Sequence, residues 1–166
     1  MVTNNLRKAV VYDVDVLAKL FIKNLKKHPE YISHGEIQMG VGTADGKVAP
    51  NASEMWKKYI VEKIERTEAE VFICEEGGGI IGFTVVEIDN DGGEPFGVIC
   101  DLYVLPENRI KGLGSLLLNE GLSWLRSNGI KDFYLESGNS NVDAHIFFEK
   151  RGFSVVSHVY YKQTLS

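Results

Sequence analysis

The fold of this chain is decided by one stretch of its sequence, Leu102-Tyr103-Val104-Leu105-Pro106-Glu107-Asn108-Arg109-Ile110-Lys111-Gly112-Leu113-Gly114-Ser115. An apolar strand ends at Pro106, a short loop follows, and a helix begins at the glycines. The first N–H groups of a helix have no partners within it, and they carry the positive end of the helix dipole. Because Gly112 and Gly114 have no Cβ atom, an anion can approach the backbone closely, and Arg109 and Lys111 add positive charge. The stretch therefore predicts a loop that binds a diphosphate.

Regular elements are predicted on both sides of this stretch. Upstream, the apolar periodicity predicts a short strand at residues 6–10, helices at 13–26 and 51–67, and strands at 71–75, 80–88 and 97–105. Downstream, it predicts a helix at residues 112–128, a strand at 132–136, a second helix at 142–151, and one bent strand or two short ones at 153–165. The glycines at 77–79 predict a hairpin turn with positive φ angles. This order predicts an α/β (α+β) fold with a mixed sheet and helices on its faces, in a single domain over residues 1–166.

The composition excludes several classes of protein. With 18 Lys+Arg against 23 Asp+Glu, the chain has a formal net charge of −5, which argues against a general binder of nucleic acid or anionic membranes. Cys74 and Cys100 lie apart in apolar runs, so we expect two reduced, buried thiols and no metal site. Neither a signal peptide nor an apolar run of about 20 residues is evident, so we expect a cytoplasmic protein.

The diphosphate loop belongs to a larger pattern. The Walker A and GxGxxG motifs of nucleotide-binding proteins are absent, and the loop reads Arg109-x-x-Gly112-x-Gly114 after a strand Leu102-x-Val104-x-Pro106. Two further segments follow in order, Asn141-x-x-Ala144 and Phe148-Glu149-Lys150-Arg151-Gly152-Phe153. Together these motifs resemble those of the GNAT superfamily of N-acetyltransferases. The order of strands and helices extends the resemblance over nearly the whole chain, although only residues 98–153 carry specific motifs.

This resemblance implies a fold and a co-substrate. It implies a mostly antiparallel sheet of six to seven strands flanked by about four helices, and it implies acetyl-CoA as the acyl donor. The pyrophosphate would be held mainly by backbone N–H groups of Arg109, Ile110, Lys111, Gly112, Leu113, Gly114 and Ser115. The strand edge at Leu102, Tyr103 and Val104 would hydrogen-bond the pantetheine arm, in a gap where this strand bulges and separates from the next one. Asn141 would also bind the pantetheine, with Phe148 close to the thioester.

The same resemblance implies direct attack of an amine on the thioester within a ternary complex. The backbone N–H of Val104 would polarise the carbonyl group. The usual tyrosine acid is replaced by Phe148, so proton donation to the thiolate is either dispensable or performed by another residue; the candidates are Ser137, Tyr134, His145 and Tyr160. The general base is Asp101, or a water chain that ends on Glu94, Asp101 or Glu36.

The identity of the acceptor depends on less regular parts of the sequence. The stretch at 28–50, rich in glycine and proline, is a candidate for contact with the acceptor. Residues 67–108 contain ten acidic residues and no Lys or Arg. This block could attract a cationic amine, in which case reversing the charge of Asp89, Asp91 and Glu94 should weaken binding; a solvated acidic hairpin is the alternative.

Two functions are therefore open. The first is an acetyl-CoA-dependent N-acetyltransferase that acts on an amine of a small molecule or a peptide, with a homodimer expected by analogy. The second is a non-catalytic acyl-CoA-binding sensor or regulatory module, which the phenylalanine at position 148 would favour.

Overall fold

The computed structural model describes residues 3–165, except for the side chains of Ile110 and Lys111. It contains a sheet of five strands and five α-helices. The strands are β1 (Asn5–Lys8), β2 (Ala69–Glu76), β3 (Gly79–Asp89), β4 (Phe96–Val104) and β5 (Phe133–Leu135). The helices are α1 (Val14–Lys27), α2 (His34–Met39), α3 (Ala52–Glu65), α4 (Leu113–Ser127) and α5 (Val142–Glu149). Strand order follows the sequence, and every pair is antiparallel except β4 and β5, which are parallel.

Two layers of helices cover the sheet. Helix α1 buries the face predicted by its 3.6-residue period: Val14, Leu17, Ala18, Phe21, Ile22 and Leu25. This face and that of α3 pack on one side of the sheet, against Val71, Ile73, Phe83 and Val85. Helix α4 packs on the other side, against Phe72, Val86 and Ile99. The alternation of Val71, Phe72 and Ile73 between the two faces is the period-2 pattern of a fully covered strand.

Glycines fix the ends of three elements. Gly77 and Gly78 have φ angles of 60° and 83° in the turn between β2 and β3, which confirms the predicted hairpin. Helix α4 lies between Gly112 (φ 74°) and Gly129 (φ 80°), both in the left-handed region that favours glycine.

The structure differs from the sequence prediction in two segments. The stretch at 28–50 contains a 3₁₀ turn (Pro29–Tyr31) and helix α2, which is stabilised by a capping box between Ser33 and Glu36. No strand is formed by residues 153–165, so the described sheet has five strands instead of six to seven. A strand needs a partner for its hydrogen bonds, and this segment has none within the described chain. None of the helices in the described residues is long and apolar enough to cross a membrane.

Candidate active site

The central feature of the site is a separation between two parallel strands. Strand β5 pairs with β4 only where Phe133–Leu135 lies opposite Gly97–Ile99. Beyond this point, β4 continues to Val104 without β5 beside it. A bulge lies at the same place, because Val86 pairs with Ile99 and Val85 pairs with Asp101, which leaves Cys100 as the extra residue. The two strands therefore enclose a wedge-shaped gap.

The unpaired edge of β4 carries backbone groups that face this gap. Leu105 donates its N–H to Ile81 of β3 over 2.8 Å. Because successive residues of a strand direct their backbone groups to opposite sides, Leu102 and Val104 direct theirs away from β3. The Val104 carbonyl accepts a hydrogen bond from Arg109 Nε at 3.0 Å. The Val104 N–H consequently points into the gap, as a donor for a ligand.

A cavity of about 310 Å³ fills the gap. Its volume lies at the lower end of the range for small-molecule sites. Eight of the residues predicted from sequence line it: Asp101, Leu102, Tyr103, Val104, Arg109, Gly114, Asn141 and Phe148. Gly112, Leu113 and Ser115 belong to the adjoining start of α4. Ile110 and Lys111 lie in the preceding 3₁₀ turn (Pro106–Lys111), and their side chains are outside the described part of the chain.

The start of α4 has the form expected of an anion site. No side chain of the described residues caps it, so its first N–H groups are available to a ligand. A Cβ atom at Gly112 would meet no atom within 4 Å, but the φ angle of 74° requires glycine. A Cβ atom at Gly114 would lie 3.2 Å from the Phe147 ring. Glycine at position 114 is thus also needed for packing against α5, a reason that the sequence did not indicate.

A second arginine, which the sequence analysis missed, lies beside this helix start. Arg151 donates from Nε to Ser115 Oγ at 3.0 Å and from Nη1 to the Phe147 carbonyl at 2.8 Å, and its guanidinium stacks on the Phe147 ring. Arg109 and Arg151 therefore place two permanent positive charges around the helix start. The motif that contains Arg151 was visible in the sequence, but its distance from α4 was not.

Asp101 is the most strongly perturbed acid of the site. Its Oδ2 accepts a hydrogen bond from Tyr59 Oη at 2.8 Å, and its carbonyl accepts one from Thr84 Oγ1 at 2.9 Å. Burial of the carboxyl group, followed by the nearby carboxylate of Glu36, raises its pKa to about 8, although the bond from Tyr59 acts in the opposite direction. A carboxyl group with a pKa near neutrality is suited to accept a proton.

Of the four candidate proton donors, Ser137 alone lines the cavity in the described structure. Its Oγ is buried and has no hydrogen-bond partner there. Tyr134 packs against Phe96 outside the cavity, and Tyr160 is 92% exposed. His145 Nε2 is 2.9 Å from the Gly138 carbonyl. A buried hydroxyl without a partner is unfavourable, so of these four residues Ser137 is the one whose hydroxyl could hydrogen-bond a ligand in the cavity.

Asn141 both lines the cavity and caps a helix. Its side-chain oxygen caps α5 by accepting the N–H of Ala144 at 3.3 Å. The amide nitrogen is the part of this side chain that is free of that capping bond, so Asn141 can cap the helix and line the cavity at once.

The carboxylates around the cavity are not those expected from the acidic block. Asp89, Asp91 and Glu94 lie around the turn between β3 and β4, at the end of β4 opposite to the cavity, and none of them lines it. The charge-reversal expectation for these three residues therefore has no structural basis. The carboxylates that do line the cavity are Glu36, Asp101, Glu136 and Asp143.

Glu36 reaches the cavity because contacts with the residues that follow β5 hold α2 across the gap between β4 and β5. His34 Nδ1 lies 2.7 Å from Glu136 Oε2, at the end of β5. Gly138 packs so closely against the 3₁₀ turn that a Cβ atom would lie 2.9 Å from the Glu30 carbonyl oxygen. These contacts hold the stretch at 28–50 over the site, where it was expected to meet the acceptor.

Comparisons with known proteins agree with this geometry. Residues 43–153 match the model of the acetyltransferase (GNAT) family. A mycothiol acetyltransferase of Propionibacterium freudenreichii is 36% identical over 85 residues, which are 50% of this chain and 27% of that protein. An aminoglycoside N(6')-acetyltransferase of Stenotrophomonas maltophilia is 29% identical over 108 residues, covering 61% of this chain and 71% of that protein. The chain thus spans little more than a quarter of the Propionibacterium relative.

The fold has solved counterparts. A predicted acetyltransferase of Clostridium acetobutylicum, whose crystal structure contains acetyl-CoA, superposes with a TM-score of 0.70 at 17% identity, over 97% of this chain and 96% of that one.

Proposed function

The chain belongs to the GNAT family of acetyltransferases, and we propose that it is an N-acetyltransferase that moves an acetyl group from acetyl-CoA to an amine. The observation that carries this proposal is the convergence of three features on one cavity: the uncapped start of α4, the open edge of β4, and the carboxyl group of Asp101. A non-catalytic acyl-CoA-binding module would need the first two features but has no use for a carboxyl group with a pKa of about 8.

We assign the binding of acetyl-CoA to the residues around the helix start and the strand edge. The backbone N–H groups from Arg109 to Ser115 would hold the pyrophosphate, with the guanidinium groups of Arg109 and Arg151 beside it. The backbone groups of Leu102 and Val104 would bind the pantetheine arm as an added strand does, and Tyr103 lies between them. Asn141 and Phe148 would form the opposite wall. The residues present fit the pyrophosphate and the pantetheine arm, because each of these parts has a group of matching chemistry beside its proposed place.

The transfer requires three roles of this chain. Asp101 accepts a proton from the incoming ammonium group, so that its nitrogen can attack the thioester carbonyl. The Val104 N–H donates a hydrogen bond to the carbonyl oxygen, on which negative charge develops. As the N–C bond forms and the C–S bond breaks, Ser137 Oγ donates a hydrogen bond to the departing thiolate, which takes up the second proton released by the nitrogen and leaves as the thiol of CoA. Phe148 contributes apolar surface only.

The role of Ser137 predicts a specific kinetic change. Ser137→Ala should lower kcat by a factor of about 10 to 10², since a hydrogen bond to a charged group contributes about 1.5–3 kcal/mol. The KM for acetyl-CoA should change little. The free energy of unfolding should stay the same or rise slightly, because the substitution removes a buried hydroxyl that has no partner.

Ser140→Ala is the matched control, because Ser140 lies in the same loop and is exposed. Steady-state kinetics and thermal melts of both variants measure these effects. Equal kcat values for Ser137→Ala and the wild type would remove Ser137 from the mechanism.

The cavity indicates the class of acceptor. Four carboxylates line it against one positively charged side chain of the described residues, Arg109, whose Nε is bound to the Val104 carbonyl. We therefore propose a cationic amine as the acceptor, either a small molecule or a peptide amine. The negative field would favour binding of the ammonium form, and Asp101 would then take up its proton.

The domain organisation, location and oligomeric state of the protein are also part of this proposal. We propose that residues 1–166 work as a single domain in the cytoplasm and that the protein is a homodimer. A role in binding nucleic acid is not proposed, in view of the net charge of −5.

A panel of amines tests the function. The protein is mixed with acetyl-CoA and mono-, di- and polyamines or short peptides with a free amine, and the release of CoA is followed with a thiol reagent. We expect turnover above the hydrolysis seen without amine, and greater kcat/KM for acceptors with a second positive charge. Tight binding of acetyl-CoA without turnover on any amine would instead support the sensor module.

A further inference from the structure

A largely buried ion pair lies between α3 and β3. The ammonium of Lys63 contacts the carboxylate of Glu87, and the two side chains are only 8% and 17% exposed. Withdrawing two charges from water costs free energy that their attraction often fails to repay, and apolar residues of similar volume are often as stable in such a place. The stability of the fold is therefore a weak explanation for this pair, and its surroundings offer another.

Tyr59 connects this ion pair to the active site. It precedes Lys63 by four residues, so the two side chains lie about one turn apart on the same face of α3. Lys63 Nζ lies 5.3 Å from the centre of the Tyr59 ring, whose electron-rich face attracts a cation. The hydroxyl at the end of this ring donates to Asp101 Oδ2 at 2.8 Å. The contacts thus run from the ion pair through one aromatic side chain to the proposed base.

The register of the sheet brings Glu87 near the same carboxyl group. Val85 of β3 pairs with Asp101 of β4, and Glu87 follows Val85 by two residues. Residues two apart on a strand share one face of the sheet and are about 7 Å apart. This is the face that α1 and α3 cover, where Val85 is fully buried. Glu87 and Asp101 are therefore close enough, in surroundings with little water, for their charges to interact strongly.

The charged and titratable groups around Asp101 come from several elements. They are Glu36 of α2, Tyr59 and Lys63 of α3, Glu87 of β3, Cys100 of β4, and Arg109, Glu136 and Asp143 elsewhere along the cavity. Burial and the carboxylates of Glu36 and Glu87 raise the pKa of Asp101, whereas the bond from Tyr59 and the ammonium of Lys63 lower it. Lys63 thus offsets part of the effect of the two carboxylates.

We propose that Lys63 and Glu87 are positioning residues for acetyl transfer, which act on Asp101 through Tyr59. Neither of the two lines the cavity, so neither touches a substrate there. Lys63 holds the Tyr59 ring so that its hydroxyl stays bonded to the carboxylate, and Glu87 limits how far the positive charge stabilises that carboxylate. Together they let the base both take up and release a proton near neutral pH. This inference rests on the proposed role of Asp101 and extends it to residues outside the cavity.

Removing one charge at a time should move the titration of Asp101 in opposite directions. Its midpoint should rise by about one pH unit in Lys63→Met, which loses the positive charge, and should fall in Glu87→Gln, which loses a negative one. The midpoint is read by NMR from the carboxyl carbon of Asp101 in the free protein labelled with carbon-13 aspartate, and Asp101→Asn identifies the signal. Arg66 Nη1 lies 3.5 Å from Glu87 Oε2, so Glu87 keeps a partner in Lys63→Met. Glu87→Gln is nearly isosteric and decides the matter if Lys63→Met does not fold.

Three further variants separate charge, position and overall structure. Lys58→Met removes the same charge from an exposed position of the same helix, and Lys63→Arg keeps the charge; both should titrate close to the wild type. In a Tyr59→Phe background the effect of Lys63→Met should shrink, because the hydroxyl that Lys63 positions is absent. A purely structural ion pair would lower the melting temperature of Lys63→Met and Glu87→Gln and leave the Asp101 signal in place. That result, or an undiminished effect in the Tyr59→Phe background, would overturn the inference.

The pH profile of kcat/KM separates this inference from the proposed function. With an amine that the wild type acetylates, the ascending limb should move in each variant in the same direction as the Asp101 signal, and the KM for acetyl-CoA should change little. An Asp101 signal that moves as expected in a protein that acetylates no amine would count against the acetyltransferase and uphold the action of the pair on Asp101. A signal and a limb that stay in place in an active enzyme would refute the role of Lys63 and Glu87 alone.

Discussion

Asp101→Asn should lower kcat by a factor of about 10² to 10⁴, the usual contribution of a positioned general base. The physical reason is the carboxyl group's surroundings. Burial raises its pKa to about 8, so at neutral pH a substantial fraction is protonated and cannot accept a proton. The rate should therefore increase with pH and level off above about 8. In Asp101→Asn this ascending limb should disappear from the pH profile of kcat/KM, apart from the limb that belongs to the amine itself.

Two neighbours of Asp101 provide controls that shift the limb in opposite directions. Tyr59→Phe removes the 2.8 Å hydrogen bond that favours the charged carboxylate, so the limb should move to higher pH. Glu36→Gln removes a negative charge that disfavours the charged carboxylate of Asp101, so the ascending limb should move to lower pH. Both variants keep the carboxyl group of Asp101 and should retain most of the activity at high pH. An Asp101→Asn enzyme with an unchanged profile would exclude this residue as the base.

The same raised pKa has a consequence for stability. The folded chain holds a proton on Asp101 at pH values where the unfolded chain has lost it. The free energy of unfolding should therefore fall as pH rises from about 4 to about 8, and this contribution should be absent from Asp101→Asn.

Gly112→Ala should raise the dissociation constant of acetyl-CoA ten- to hundredfold, or about 1.4–2.7 kcal/mol. Gly112 has a φ angle of 74° at the N-terminus of α4, where the pyrophosphate is proposed to bind. An added Cβ atom strains the backbone there and covers the N–H groups that a phosphate must approach. Titration calorimetry with acetyl-CoA measures the loss directly.

The opposite end of the same helix supplies a matched control. Gly129 has a φ angle of 80°, and a Cβ atom there would also meet nothing within 4 Å. Gly129→Ala should therefore strain the backbone as Gly112→Ala does and lower the free energy of unfolding by about 1 kcal/mol. It should leave the affinity for acetyl-CoA unchanged. If both variants bound acetyl-CoA equally well, the start of α4 would not be the phosphate site.

The parts of the molecule that the sequence predicted are those governed by local physical rules. The buried face of α1 follows from its 3.6-residue period, and the turn at Gly77 and Gly78 follows from the conformational freedom of glycine. The residues proposed for the diphosphate loop could be selected from sequence because strand, loop and helix start are contiguous in the chain. The same holds for Asp101, which directly precedes that motif.

What the sequence did not show depends on contacts between distant parts of the chain. Tyr59 and Asp101 are 42 positions apart, and no local pattern connects them. Glu36 reaches the cavity only because α2 is tied to β5 by the contact between His34 and Glu136. Net charge along the sequence pointed to Asp89 and its neighbours, but position in the fold decides which carboxylates face a ligand. Residues 153–165 were predicted as one bent strand or two short ones, although a strand also requires a partner.

Because of the gap between β4 and β5, some backbone hydrogen bonds of β4 contribute to the affinity for a ligand and not to the stability of the free fold. In a closed sheet, the backbone groups of Leu102 and Val104 would bond a neighbouring strand and add to the stability of the fold. Here, apart from the Val104 carbonyl that accepts from Arg109 Nε, these groups face the gap, so their bonds to a ligand would contribute to affinity instead. By thermodynamic linkage, ligand should raise the free energy of unfolding by an amount that grows with its concentration relative to Kd. The amide protons of these two residues should consequently exchange with solvent quickly in the free chain and slowly in the complex, which makes them local reporters of occupancy.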